Sequence, residues 1–159
     1  RYLRILDRCG GLGLTVLTHA GLDVGFPGKV NCSPEMVLRA VRQVGPIPLI
    51  LAHMGGWRCW DQVEELLPDT QVYLDTSFSL GRMVPLGDGY YGPGDLELMG
   101  GEQFVRMVRT FGPKRILFGT DSPWGGQGES LARLRALPLT RQELEDILGN
   151  NALQLLGAA

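Results

Sequence analysis

A mixed α/β fold built on a parallel sheet is what this sequence predicts, and three observations carry it. Four short apolar runs, at residues 14–18, 48–52, 72–74 and 116–118, read as strands. Each is followed by a loop and then by a stretch whose apolar residues recur at helical spacing. No hairpin signal joins one strand to the next. Strands that alternate with helices form parallel βαβ units with right-handed crossovers. The 159 residues are enough for one core and short for two, so a single domain over 1–159 is expected.

In chain order, Tyr2, Leu3, Ile5 and Leu6 mark the tail of a helix that runs into the glycine stop Cys9-Gly10-Gly11. The strand at 14–18 is tipped by His19-Ala20-Gly21 and leads into a loop over 22–32. Ser33-Pro34-Glu35 supplies an N-cap, a first-turn proline and an acid beside the helix dipole. Val37, Leu38, Ala40, Val41 and Val44 form that helix's buried face, and Gly45-Pro46 ends it. The run at 48–52 is apolar throughout, the mark of a strand covered on both faces, and its tip is His53-Met54-Gly55-Gly56. Trp57 and Trp60 fall in the next loop, before a short helix carrying Val63, Leu66 and Leu67.

The strand at 72–74 is tipped by Asp75-Thr76-Ser77. A glycine- and proline-rich loop over 80–101 follows; at that length it is expected to be functional and to lie over the mouth of a site. A helix over 102–111 ends at Gly112-Pro113. The strand at 116–118 then leads to Gly119-Thr120-Asp121-Ser122-Pro123, where the proline stops the sheet. A helix over 129–137 is next. Thr140-Arg141-Gln142-Glu143 is a capping box for another, and Asn150-Asn151 reads as the cap of a last turn over 152–156.

Composition narrows the partners. The net charge of −2 gives no electrostatic footprint for nucleic acid or an anionic membrane. No apolar run approaches the roughly 18–20 residues of a membrane span. The chain opens on Arg1 without a signal-peptide pattern and reads as starting inside a longer protein. Cys9, Cys32 and Cys59 have no C-x-x-C spacing, so neither a disulfide framework nor a zinc knuckle is encoded. Reduced thiols of this kind point to the cytoplasm.

Parallel strands place the polar tips His19, His53, Asp75 and Asp121 on one rim, the end where α/β proteins put their chemistry. Both histidines of the chain are there. Converging imidazole and carboxylate groups are ligands for a divalent transition metal, zinc above all. The small residues after each histidine leave the rings uncovered and let a ligand approach the backbone. A bound metal lowers the pKa of its water and polarises a carbonyl, and a nearby carboxylate can take the proton.

Blander roles stay open beside these. Asp75 either supports a histidine or caps a turn. Trp57, Trp60 and Trp124 either wall a pocket for a planar substrate or pack on the rim. Arg58 and Arg82 either hold a substrate carboxylate or are solvated. No G-x-S-x-G elbow is present, and Gly10-Gly11-Leu12-Gly13 precedes a strand instead of following one.

Thr18-His19-Ala20-Gly21, Leu51-Ala52-His53-Met54-Gly55-Gly56, Val72-Tyr73-Leu74-Asp75-Thr76-Ser77 and Arg115-Ile116-Leu117-Phe118-Gly119-Thr120-Asp121-Ser122-Pro123 carry a resemblance. In that order they resemble the C-terminal half of the amidohydrolase-related metal-dependent hydrolases. These form the branch of the amidohydrolase superfamily that includes the aminocarboxymuconate-semialdehyde decarboxylase-like enzymes. The resemblance covers nearly the whole chain.

It implies a TIM barrel of the metallo-dependent hydrolase type, here strands five to eight with their helices: a half-barrel with its metal at the C-terminal mouth. It implies a divalent metal, zinc foremost, held by His19, His53 and Asp121. Asp121 and His53 would be catalytic, the first deprotonating or orienting the water and the second polarising the carbonyl or handling the proton. Trp57, Arg58 and Trp124 are the candidate substrate-binding residues.

The implied activity is hydrolysis of an amide, ester or lactone-like carbonyl in a small-molecule substrate by a metal-activated water. One alternative is metal-dependent decarboxylation of an aromatic-type carboxylic acid. Another is an inactive half-barrel or interaction module, because the family's first-strand H-x-H pair does not occur here. Two open sheet edges and an apolar inner face would favour a homo-oligomer or packing with an N-terminal half.

Overall fold

The computed structural model describes residues 2–84, 87 and 89–157. The chain begins with α1 (Tyr2–Gly11) and β1 (Val16–Thr18). A small antiparallel pair follows, β2 (Gly21–Leu22) with β3 (Val30–Cys32), and then α2 (Pro34–Val41). Next come β4 (Leu49–Leu51), α3 (Trp60–Leu66), β5 (Tyr73–Asp75), α4 (Gly101–Phe111) and β6 (Ile116–Leu117). The closing helices are α5 (Gln127–Arg135), α6 (Arg141–Glu145) and α7 (Asn151–Leu155). The larger sheet is ordered β1-β4-β5-β6 and every pair in it is parallel. Each unit adds its strand beside the last, the order of a barrel wall and not of a sheet that reverses direction.

Strand register divides the core from the site. One row of partners runs Thr18, Leu51, Leu74, Ile116 across the sheet, and the next runs Leu17, Ile50, Tyr73. Alternation with period two puts these rows on opposite faces. Leu51, Leu74 and Ile116 are fully buried in one cluster with Val63, Leu67, Phe104, Met107 and Val108. Leu17, in the other row, is 61% exposed. Helices therefore cover the first face, while on the second Leu17 is open to solvent and Ile50, Asp75 and Leu117 are buried.

In α4, Phe104, Met107, Val108 and Phe111 recur at helical spacing and are all buried, each burial worth about 1.5–3 kcal/mol. Gly112 ends that helix in the left-handed region at φ 84°. Arg115 then ties the exits of α3 and α4 together. Its Nε donates to the Phe111 carbonyl at 2.6 Å, its Nη2 to the Pro68 carbonyl at 3.0 Å, and its Nη1 to the Thr70 carbonyl. The sequence signals for two helix starts hold: Ser33 accepts from the Met36 amide, and Thr140 with Glu143 closes a reciprocal capping box.

Three local expectations change. The loop at 22–32 contains the β2–β3 pair, because the backbone at Gly21 pairs with Cys32 and also bridges to Trp57. Trp60 opens α3 instead of lying in a loop. Asn150 and Asn151 cap nothing: the backbone stays helical from Arg141 to Leu155, through a π turn at Asp146–Asn150. The cause is tertiary, since Asn151 Nδ2 donates to the Pro113 and Ile116 carbonyls, both at 2.8 Å. Among the described residues no helix is long and apolar enough to cross a membrane.

Candidate metal centre at the strand tips

His19 directly follows β1, and His53 lies two residues past β4. His19 Nδ1 is 3.1 Å from His53 Nε2, and the rings meet edge-on with centroids 4.9 Å apart. The other nitrogen of His19, Nε2, is buried without a hydrogen-bond partner among the described residues. His53 is buried and sits at φ 61°, with Met54 at φ 51°. Left-handed backbone at such residues costs about 1–3 kcal/mol each. Asp75 offsets that cost, since its Oδ1 accepts from the His53 amide at 3.0 Å and its carbonyl accepts from the Met54 amide at 2.7 Å.

The small residues beside the histidines have a different use from the one expected. Gly21 lies at φ 86°, and a Cβ there would meet the Trp57 amide nitrogen at 2.3 Å. A Cβ on Gly55, at φ 83°, would meet side-chain carbons of Leu74 and Val63, each at 2.9 Å. These glycines admit other parts of the chain, not a ligand. Gly119 is similar: a Cβ there would sit 3.2 Å from the Asp75 carboxyl carbon.

Asp75 is the hub of the site. Its Oδ1 also accepts from the Ser77 amide at 2.9 Å and the Ser77 hydroxyl at 2.5 Å. Ser77 in turn offers His53 Nδ1 two oxygens, its carbonyl and its Oγ, each at 3.1 Å. Burial pushes the His53 imidazole below its ordinary range; its hydrogen bond to the Ser77 carbonyl and the nearby Asp75 charge oppose the shift. The result favours a neutral ring, the form that ligates a metal.

The imidazole pair suits a metal. Two nitrogens about 2.0–2.1 Å from one tetrahedral zinc lie roughly 3.3 Å apart, close to the 3.1 Å between His19 and His53. The three-ligand set expected from the sequence does not assemble: among the described residues no three His, Cys, Asp or Glu side chains group closely enough to hold a metal. Asp121, in left-handed backbone at φ 56°, follows β6, three strands from β1. Its charge is near enough to act on the His53 ring. It lines the same cavity as the pair.

That cavity holds about 470 Å³, and His19, His53 and Asp121 all line it. Trp57, fully buried, and Trp124, 68% exposed, line it too. Arg58 does not. Its guanidinium carbon stacks 5.1 Å from the Trp57 ring centroid, and it lines a separate surface pocket with Cys59 and Asp61. The loop expected over the mouth contributes Met83 and Val84 to the wall; Pro85, Leu86 and Asp88 of that loop lie outside the described residues. Sequence reasoning missed Phe78 as a wall and Ser77 as the partner of His53. The second had a signal, because Asp-x-Ser at a strand tip favours a side-chain turn back onto the Ser amide.

The chain matches the family profile described as Amidohydrolase over residues 1–158. No curated protein matches it. Among solved structures, a TIM-barrel protein from Bordetella bronchiseptica aligns at a TM-score of 0.71 and 20% identity, over 99% of this chain and 50% of that one. A Pseudomonas putida protein proposed as a 2-pyrone-4,6-dicarboxylic acid hydrolase aligns at 0.66 and 18%, over 97% and 55%. A zinc-bound amidohydrolase from Burkholderia multivorans aligns at 0.69 and 12%, over 98% and 57%. Decarboxylases are among the matched structures as well. At these identities the likeness shows the fold, and the chain spans about half the length of the proteins it matches.

Proposed function

The chain belongs to the amidohydrolase family, and from that premise we propose that its strand tips are part of a metal-dependent hydrolase site for an amide, ester or lactone-like bond. The observation that carries the reading is the facing pair, His19 Nδ1 and His53 Nε2 at 3.1 Å, on the wall of a 470 Å³ cavity. Those two nitrogens would hold a divalent cation, zinc first, which when bound supplies Lewis acidity toward the carbonyl. Asp121, which lines the same cavity, takes the proton of the attacking water. Trp57 and Phe78 flank the space where a flat, small substrate fits, and Trp124 stands at the edge.

A second reading, decarboxylation of an aromatic-type carboxylic acid, is favoured by that aromatic wall and by the decarboxylases among the matched structures. One experiment separates the two. The chain is supplied with zinc or manganese and offered aryl esters and lactones, and separately hydroxybenzoates, while acid release and CO2 are followed. Metal-dependent hydrolysis that falls by about 100-fold or more in Asp121→Asn is the expected result. CO2 release without hydrolysis selects the second reading, and neither activity with either metal overturns both.

A further inference from the structure

His53 has two ring nitrogens, and the hydrogen bonds around it decide which carries the proton. Nε2 faces His19 Nδ1. Nδ1 faces the Ser77 carbonyl and the Ser77 Oγ, each at 3.1 Å. A carbonyl only accepts. A hydroxyl can do either, but it has one proton, and here that proton goes to Asp75 Oδ1 at 2.5 Å. The same carboxylate oxygen also holds the amides of His53 and Ser77, at 3.0 and 2.9 Å, so the backbone that presents both Ser77 oxygens is fixed by it. Ser79 Oγ donates to the Ser77 carbonyl at 2.8 Å and fixes it further. With both facing oxygens acting as acceptors, only a protonated Nδ1 satisfies the ring.

We infer that Asp75 and Ser77 are positioning residues that hold His53 in its Nδ1–H tautomer, with the Nε2 lone pair bare and aimed at His19. Asp75 acts by consuming the one hydroxyl proton that could otherwise be donated to the ring. His19 then donates from its own Nδ1 to that lone pair in the metal-free chain, and a metal held by both facing nitrogens would require His19 to carry its proton on Nε2 instead. The inference deepens the proposed site, because a histidine ligates through the nitrogen left bare when the other is held by an outer acceptor. Asp75 and Ser77 also line the cavity; the effect inferred here passes through the His53 ring.

The test is long-range proton–nitrogen correlation NMR on the nitrogen-15-labelled, metal-free chain, at a pH where both rings are neutral. The chain has two histidines, so His19→Ala leaves a spectrum of His53 alone. The expected pattern is a protonated Nδ1 and a bare Nε2 in the wild type and in His19→Ala. Asp75→Ala, made in that background, frees the Ser77 hydroxyl to donate to Nδ1 and shifts part of the ring population to Nε2–H. Adding Ser77→Ala leaves only the carbonyl beside Nδ1 and returns the ring to Nδ1–H. Asp75→Asn, which keeps an acceptor oxygen, retains the wild-type pattern.

An Nε2–H ring in the wild type overturns the inference, and so does an Asp75→Ala spectrum identical to wild type. The wild-type spectrum alone is decisive, so a variant that does not fold leaves the test intact. No metal is needed for it. Loss of the metal reading would leave the tautomer standing, and an Nε2–H ring would remove the tautomer whatever metal binds.

Discussion

Replacing Asn151 with alanine removes the amide donor to the buried Ile116 carbonyl and one of two donors to the part-buried Pro113 carbonyl, which keeps the Ile116 amide. The expected loss is about 1–3 kcal/mol, read as a lower urea midpoint with an unchanged slope. A change below about 0.5 kcal/mol would mean that water or another group replaces the amide. The sequence labels Asn151 a cap because asparagine favours helix starts, and nothing local says that its amide reaches carbonyls 35 and 38 residues back. The glycines carry the same lesson. Small residues after His19 and His53 were legible as necessary, but only the fold shows that Trp57, Leu74 and Val63 fill the space they leave. The two histidines were legible as rim residues. That Nδ1 of one faces Nε2 of the other depends on rotamers that no spacing encodes.

Helices and strands were the most readable parts of the chain, because capping and periodicity are local physics. The Ser33 cap, the Thr140–Glu143 box and the buried face of α4 all follow from residues within one or two turns. The β2–β3 pair was missed although Pro27-Gly28 marks a turn between its strands, because strands of two and three residues show too little alternation to be read. Gly149-Asn150-Asn151 looks like a helix stop and is not one, because packing against β6 keeps the backbone helical. Gly149→Ala tests this at the element scale. A Cβ at Gly149 meets nothing within 4 Å, so alanine is expected to stabilise by about 0.5–1 kcal/mol. A fall in melting temperature would instead restore the stop.

For the molecule as a whole, four parallel strands in sequential order form one stretch of barrel wall, and β1 and β6 each have a single neighbour in their sheet. The half-barrel was legible because four strand-loop-helix units in a row admit little else, and the motif order narrowed them to a family. The three-residue metal set was not. Its members lie on the first, second and fourth strands of the sheet, and their separation depends on curvature that a linear sequence does not state. His19 and His53 follow adjacent strands and meet; Asp121 lines the same cavity.

The measurement that bears most directly on a metal centre at these strand tips is calorimetric titration of the metal-free chain with zinc, beside His19→Ala and His53→Ala. One zinc bound per chain, with affinity reduced on the order of tenfold or more in each variant, is the expected result. No binding, or binding that neither substitution weakens, would contradict a metal centre built on this histidine pair.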